Sequence, residues 1–131
     1  MKQQKDLQKS YPNVKFEYEW FDFTFNKSYK DYEQLNRKFK DYDISILINN
    51  AGLLEHQYFL SVWWESAEDM LYVNALAPLL ITREFIDRLR SWKYRSAIIN
   101  VSSSGGMTPM PKISYYGASK AYLRSLSLAL Y

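Results

Sequence analysis

Hydrophobic and polar positions change period several times along this chain, and each change marks an element. Met1 to Ser10 reads as a partial helix. Val14 to Asp22 alternates in part, which predicts a strand. Ser28 to Lys40 sets Tyr32, Leu35 and Phe39 on one face at helical spacing. Ile44 to Ile48 is an apolar run that closes in the polar turn Asn49-Asn50-Ala51-Gly52, a second predicted strand. A connecting segment from Leu53 to Ser66 carries Trp63 and Trp64. A long amphipathic helix is expected from Ala67 to Arg90, with Pro78 inside it. A proline there removes a backbone donor and predicts a kink or a break. Ala97 to Val101 reads as a third strand and runs into Ser102-Ser103-Ser104-Gly105-Gly106. The last helix starts near Ser114 or Tyr115 and carries Leu123, Leu126, Leu128 and Leu130. Strands alternating with helices imply an α/β fold with a parallel sheet covered on both faces.

Tyr116 and Lys120 stand four apart at the start of that last helix, so phenol and ammonium share one face. An unperturbed phenol has a pKa of about 10 and is a poor proton donor or acceptor near neutrality. A cation within a few ångströms favours the phenolate and draws that value toward working range. Tyr115 cannot use the same lysine as well, because its partner one turn on is Ser119. By itself the pair is an ordinary feature of an amphipathic helix. Ser103 by itself is a turn serine, and Asn74 a helix-start or buried structural asparagine.

Taken together, the motifs resemble the short-chain dehydrogenase/reductase family, from about Asp22 to the C-terminus. Asn49-Asn50-Ala51-Gly52 matches its NNAG run. Asn74 matches its asparagine, Ser103 its serine, and Tyr116 with Lys120 its YxxxK pair, in the same order and at fitting separations. The stretch Ser103 to Pro111 and the run Tyr116-Gly117-Ala118-Ser119-Lys120-Ala121 are most similar to one branch. It holds the 17-beta-hydroxysteroid dehydrogenases and the very-long-chain 3-oxoacyl-CoA reductases, although that branch often has valine where this chain has Ala51.

The resemblance implies a partial Rossmann-like, doubly wound sheet with the equivalents of family strands 3, 4 and 5. It implies hydride transfer between NADP(H) or NAD(H) and a small-molecule carbonyl or secondary alcohol, with steroids or 3-oxoacyl-CoA thioesters as substrates. Tyr116 would be the proton donor or acceptor, Lys120 its partner and a ribose ligand, and Ser103 the carbonyl ligand. Asn74 would hold a relay water. Asp22, Asn49, Ala51 and Gly52 would line the cofactor, with Tyr116 and Lys120 at its nicotinamide end, and Asn50 would tie neighbouring strands together. The two long helices match those that pair between subunits, so a homo-oligomer is expected.

That family opens with a glycine-rich turn that cradles the pyrophosphate. Here the glycines are Gly52, Gly105, Gly106 and Gly117, and none precedes Gly52. Residues 1–131 therefore read as one incomplete NAD(P)-binding domain, truncated at both ends and inactive alone, with an unpaired apolar edge on the Ile44–Ile48 strand. The competing readings are a non-catalytic remnant that keeps a dimerisation surface, or a piece of a longer protein. The composition is 47% hydrophobic and 24% charged, as in a globular segment. A formal charge of +3 with no dense basic block argues against nucleic acid. Without cysteine there is no disulfide or thiolate metal site. No metal is expected, and His56 reads as a solvated loop side chain. Trp63 and Trp64 read as core or surface packing residues, with the wall of a substrate channel as the alternative. No apolar run reaches the roughly 20 residues of a spanning helix. The resemblance allows a cytoplasmic or an endoplasmic-reticulum-associated location.

Overall fold

The computed structural model describes residues 2–130; Met1 and Tyr131 lie outside them. Five helices and two strands follow in the order α1 (Lys2–Ser10), α2 (Tyr29–Lys38), β1 (Ile46–Asn49), α3 (Trp64–Leu71), α4 (Ala77–Ser91), β2 (Ala97–Asn100) and α5 (Ser114–Ala129). A π-helical turn, Tyr72–Leu76, joins α3 to α4, and 3-10 turns lie at Phe59–Ser61 and Ser104–Gly106. The expected long helix is thus two helices with a wider turn between them, and Pro78 falls in the first turn of α4.

β1 and β2 pair in parallel, from Ile46 opposite Ala97 to Asn49 opposite Asn100. Side chains alternate across a strand, so this register divides the sheet cleanly. Asn49 and Asn100 face the helices, where Asn49 meets Thr82 of α4 and Asn100 meets Ser127 of α5. Ile46, Ile48 and Ile99 face the other way and are 55%, 58% and 46% exposed. Among the described residues, β1 has β2 as its one ladder partner, so its other edge is open.

Val14 to Asp22 forms no strand and joins no ladder, which corrects the expectation of a strand there. A strand needs a neighbour for its backbone groups, and side chains of α1 serve in its place. Gln4 donates to the carbonyl of Phe16 (2.7 Å) and Gln8 to that of Val14 (2.9 Å). The segment then packs inward through Phe21, whose ring meets Phe23 at 5.2 Å and Tyr32 at 5.4 Å.

Helix α2 starts where Ser28 gives its N–H and its hydroxyl to the Asp31 carboxylate, at 2.9 and 2.7 Å. This satisfies an orphan donor at the helix start. Its far end is held by Arg88 of α4, which donates to Asn36 Oδ1 (2.9 Å) and to the carbonyls of Tyr42 (2.5 Å) and Phe39. Asn36 returns a bond to the Glu84 carbonyl (2.8 Å). Carbonyls that a helix end leaves unpaired are thereby capped by a neighbouring helix. The core lies between these helices and one sheet face, with Tyr32, Ala67, Met70, Val73, Ala77, Phe85, Leu89 and Leu123 buried.

Tyr32 is fully buried, and its hydroxyl has no hydrogen-bond partner among the described residues. The Tyr72 phenol acts on it but spends its own proton on the Lys27 carbonyl at 2.6 Å. Burial first, and then Tyr72, push the Tyr32 phenol above its ordinary range. An unpaired buried hydroxyl costs its desolvation without return. Replacing Tyr32 by Phe should therefore leave stability unchanged or raise it by about 1 kcal/mol. Urea unfolding of the two chains measures this, and a clear loss would show that the hydroxyl is bonded.

Candidate active site

The site begins with a missing proton. Pro78 brings no N–H, so the carbonyl of Asn74, four residues back, lacks its helical donor. The backbone widens there, and the N–H of Ala77 reaches the carbonyl of Tyr72, five residues back. Asn74 lies inside this turn and is fully buried. Its Oδ1 accepts the N–H of Leu53 (2.8 Å), and its Nδ2 donates to the Leu53 carbonyl (2.8 Å) and to Ser119 Oγ (3.1 Å). One carboxamide thus joins the loop after β1, the π turn and α5.

The segment after β2 meets α5 almost backbone to backbone. Ser103 Oγ accepts the N–H of Gly105 at 3.2 Å and caps the 3-10 turn. A Cβ on Gly117 would lie 2.7 Å from the Gly105 carbonyl oxygen, and one on Gly106 would lie 2.7 Å from backbone atoms of Lys120 and Ala121. No side chain fits between them. Ser103 is therefore held at the same end of the sheet as Tyr116, the residue before Gly117. Met110 and Ile113 pack against Gly105 from the outside.

Lys120 is buried, and its ammonium donates to the Val101 carbonyl at 2.9 Å. That bond uses one of three protons. The Lys120 carbonyl accepts the Ser102 hydroxyl (2.9 Å), which ties α5 to the end of β2 from the other side. Lys120 Nζ stands 5.7 Å from the centre of the Tyr116 ring. A Cβ on Gly52 would sit 3.4 Å from that ammonium and 3.1 Å from Asn74 Oδ1. Gly52, Asn74 and Lys120 therefore meet, with the Tyr116 ring beside the ammonium and Ser103 on the turn that abuts Gly117. Tyr115 turns away and stacks on Phe59, with centroids 4.8 Å apart and planes at 8°. Ser119 is not its partner; it is buried, and its hydroxyl donates to the Tyr116 carbonyl at 2.7 Å.

A family model described as short chain dehydrogenase matches residues 2–131. The chain belongs to the short-chain dehydrogenase family. It is 36% identical over 122 residues to a very-long-chain 3-oxoacyl-CoA reductase of Coccidioides immitis (strain RS), covering 91% of this chain and 34% of that protein. It is also 36% identical over 109 residues to hydroxysteroid dehydrogenase-like protein 1 of Gallus gallus, covering 82% and 33%. The chain thus spans about a third of the length of these relatives. The solved short chain dehydrogenase of Escherichia coli CFT073 complexed with NADPH superposes with a TM-score of 0.87 over 97% of this chain and 53% of that one. At 20% identity, that likeness speaks for the Rossmann-like fold.

Of the remaining positions picked out by the family pattern, Asn49 ends β1, Asn50 and Ala51 follow it, and Asp22 precedes it. Asn49, Asn50 and Ala51, with Phe23, Ile48 and Pro78, line a cavity of about 200 Å³. Asn49 is buried, and its Nδ2 donates to Asn100 Oδ1 (2.7 Å) and Thr82 Oγ1 (3.1 Å). The strand-tying bond expected of Asn50 is therefore made by Asn49, because the pleat turns Asn49 toward the helices and leaves Asn50 exposed. Asp22 does not line the cavity; its neighbour Phe23 does. Its Oδ1 accepts the Thr24 hydroxyl (2.7 Å) and N–H (2.8 Å), and these bonds, the hydroxyl first, hold the carboxyl below its ordinary value. His56 is exposed, and no group of metal-binding side chains occurs among the described residues. Trp63 and Trp64 are 76% and 73% exposed rather than packed. No described helix is long and apolar enough to cross a membrane.

Sequence reasoning missed Leu53, Ser102 and Ser119. The signal for Ser119 was its place three residues after Tyr116, where a helical serine bonds back to the carbonyl. Nothing in the sequence placed Asn74 at its other side. Replacing Gly106 by Ala would drive a methyl into the backbone of Lys120 and Ala121. The expected cost is about 1–3 kcal/mol in urea unfolding, against less for Ala at Gly52, whose neighbours are side-chain atoms.

Proposed function

We propose that this chain forms the catalytic side of an NAD(P)-dependent reductase that interconverts a carbonyl and a secondary alcohol. The observation that carries the reading is the Lys120 ammonium beside the Tyr116 ring and the buried Asn74, with Ser103 on the turn that abuts Gly117. The substrate class favoured by the reductase and hydroxysteroid relatives is a 3-oxoacyl-CoA thioester or a steroid.

The residues fit the nicotinamide end of the cofactor. Gly52 leaves a cradle that a Cβ would fill, next to the Lys120 ammonium, which keeps donors beyond its bond to Val101. The cavity beside Asn49, Asn50 and Ala51 suits the adenosine end, with Phe23, the neighbour of Asp22, in its wall. Within residues 1–131 no glycine precedes Gly52, so these residues alone offer no glycine-rich cradle for the pyrophosphate. A bound dinucleotide supplies the hydride.

Tyr116 gives its phenolic proton to the substrate oxygen as negative charge builds there, and takes it back in alcohol oxidation. Ser103 donates to the same oxygen and fixes its distance from the phenol. Lys120 holds the nicotinamide ribose through its free protons. The side chain of Asn74 is fully engaged with Leu53 and Ser119. A relay water would therefore rest on its main-chain carbonyl, the group that Pro78 leaves without a helical donor.

We read residues 1–131 as part of one dinucleotide-binding domain. By themselves they should bind NADPH or NADH weakly or not at all, since the pyrophosphate lacks backbone donors. Leu71 and Leu76 with Tyr122 of α5, each 41% exposed, give the chain an apolar face suited to a second copy. A non-catalytic chain that keeps only this pairing face is the second reading, favoured by the exposed apolar side chains of Leu71, Leu76 and Tyr122.

Two measurements test the proposal. Calorimetric titration of residues 1–131 with NADPH and NADH should give no saturable micromolar binding. Joined to the flanking portions of a reductase relative, the same residues should reduce a 3-oxoacyl-CoA. There Tyr116→Phe should lower kcat by roughly a thousandfold with cofactor binding kept. Full turnover in the Phe variant would reject Tyr116 as the acid.

A further inference from the structure

Helix α5 carries the two reacting groups, and two relays of the same design fasten it. In the first, Asn74 Nδ2 donates to Ser119 Oγ (3.1 Å), and Ser119 Oγ donates to the Tyr116 carbonyl (2.7 Å). In the second, Asn100 Nδ2 donates to Ser127 Oγ (2.8 Å), and Ser127 Oγ donates to the Leu123 carbonyl (2.8 Å). The two serines are eight residues apart, just over two turns, and so share a face. A helical serine commonly bonds back to its own helix. Here the bond back fixes the hydroxyl proton and so turns a lone pair outward to accept an amide from another element. One such anchor fixes a point on a helix. Which of the two governs the helix depends on what can replace it.

The two relays differ in setting. Ser127 is exposed, and water can replace either of its bonds. Ser119 is 1% exposed and Asn74 0%. If the Ser119 hydroxyl is lost, a buried amide proton is left without a partner, at a cost met only by moving Asn74 or α5. Asn74 is also held by both backbone groups of Leu53, the neighbour of Gly52. The freedom therefore falls to α5. Ser119 lies between Tyr116 and Lys120 in sequence, so any rotation moves the phenol and the ammonium together relative to Gly52.

We propose that Ser119 is a positioning residue: its buried hydroxyl sets the rotation of α5, and with it the placement of Tyr116 and Lys120 against the loop after β1. This rests on the reading of Tyr116 and Lys120 as the reacting pair.

The test uses residues 1–131 labelled with ¹³C-tyrosine and ¹⁵N, observed by NMR at one pH. Ser119→Thr and Ser119→Val have the same shape and differ by one hydroxyl. Ser119→Ala, which adds no volume, covers the case in which neither larger side chain folds. Ser127→Ala is the control for a purely helix-stabilising role. The Tyr116 ring carbon signal and the Lys120 ammonium signal should match the parent in S119T, shift together in S119V and S119A, and stay in place in S127A. Exchange of the Asn74 carboxamide protons should rise by at least about tenfold in S119V and S119A. Equal spectra for S119T and S119V, or an equal shift in S127A, would overturn the proposal. A failure of the underlying reading looks different. Lys120→Met would then leave the Tyr116 signal unmoved, while carboxamide exchange would still separate S119T from S119V.

Discussion

The carboxamide of Asn74 is the interaction on which the arrangement depends. It has two donor protons and an acceptor oxygen, and all of them reach groups from other elements. It is fully buried, so none of these bonds can be exchanged for water. Through it the loop after β1, the π turn and α5 are held at one point. The Asn can occupy that point because Pro78 widens the helix beside it. A defect in one helical ladder is thus compensated by cross-links between three segments.

Close backbone approach supplies the second constraint. Gly105, Gly106 and Gly117 let a turn and a helix meet with no side chain between them. This fixes Ser103 beside Tyr116 more tightly than side-chain packing could, since backbone cannot change rotamer. The serines around the turn then close the gaps, Ser102 onto the Lys120 carbonyl and Ser103 onto its own turn. The polar residues of this region are largely consumed in holding the segments together, and two protons of Lys120 remain beyond its bond to Val101.

Most of the architecture was legible in the sequence because its elements carry strong local signals. Ile44 to Ile48 is too apolar to be anything but a buried or half-buried strand, and β1 falls there within two residues. The YxxxK spacing placed Tyr116 and Lys120 on one helix face. Pro78 announced a break, although its form as a π turn depends on where the freed carbonyl finds room. The segment Val14 to Asp22 was misread because alternation shows that a stretch can pair, not that a partner exists. The exchange of roles between Asn49 and Asn50 turned on strand phase, which a run of four polar and small residues does not reveal. Ser119 was missed for a similar reason: its helical bond is local and legible, whereas its acceptance of a bond from Asn74 crosses 45 residues.

The exposed indoles have a spectroscopic consequence. The chain has four tryptophans, and Trp20, Trp63 and Trp64 are all about three-quarters exposed. Their emission already reports water, so loss of the fold changes their surroundings little. The phenols behave differently: Tyr32 and Tyr72 sit in the core among other rings and would pass from an apolar medium to solvent. In this molecule three of the four tryptophans would change little on unfolding, so half-buried Trp92 and the core tyrosines carry the signal.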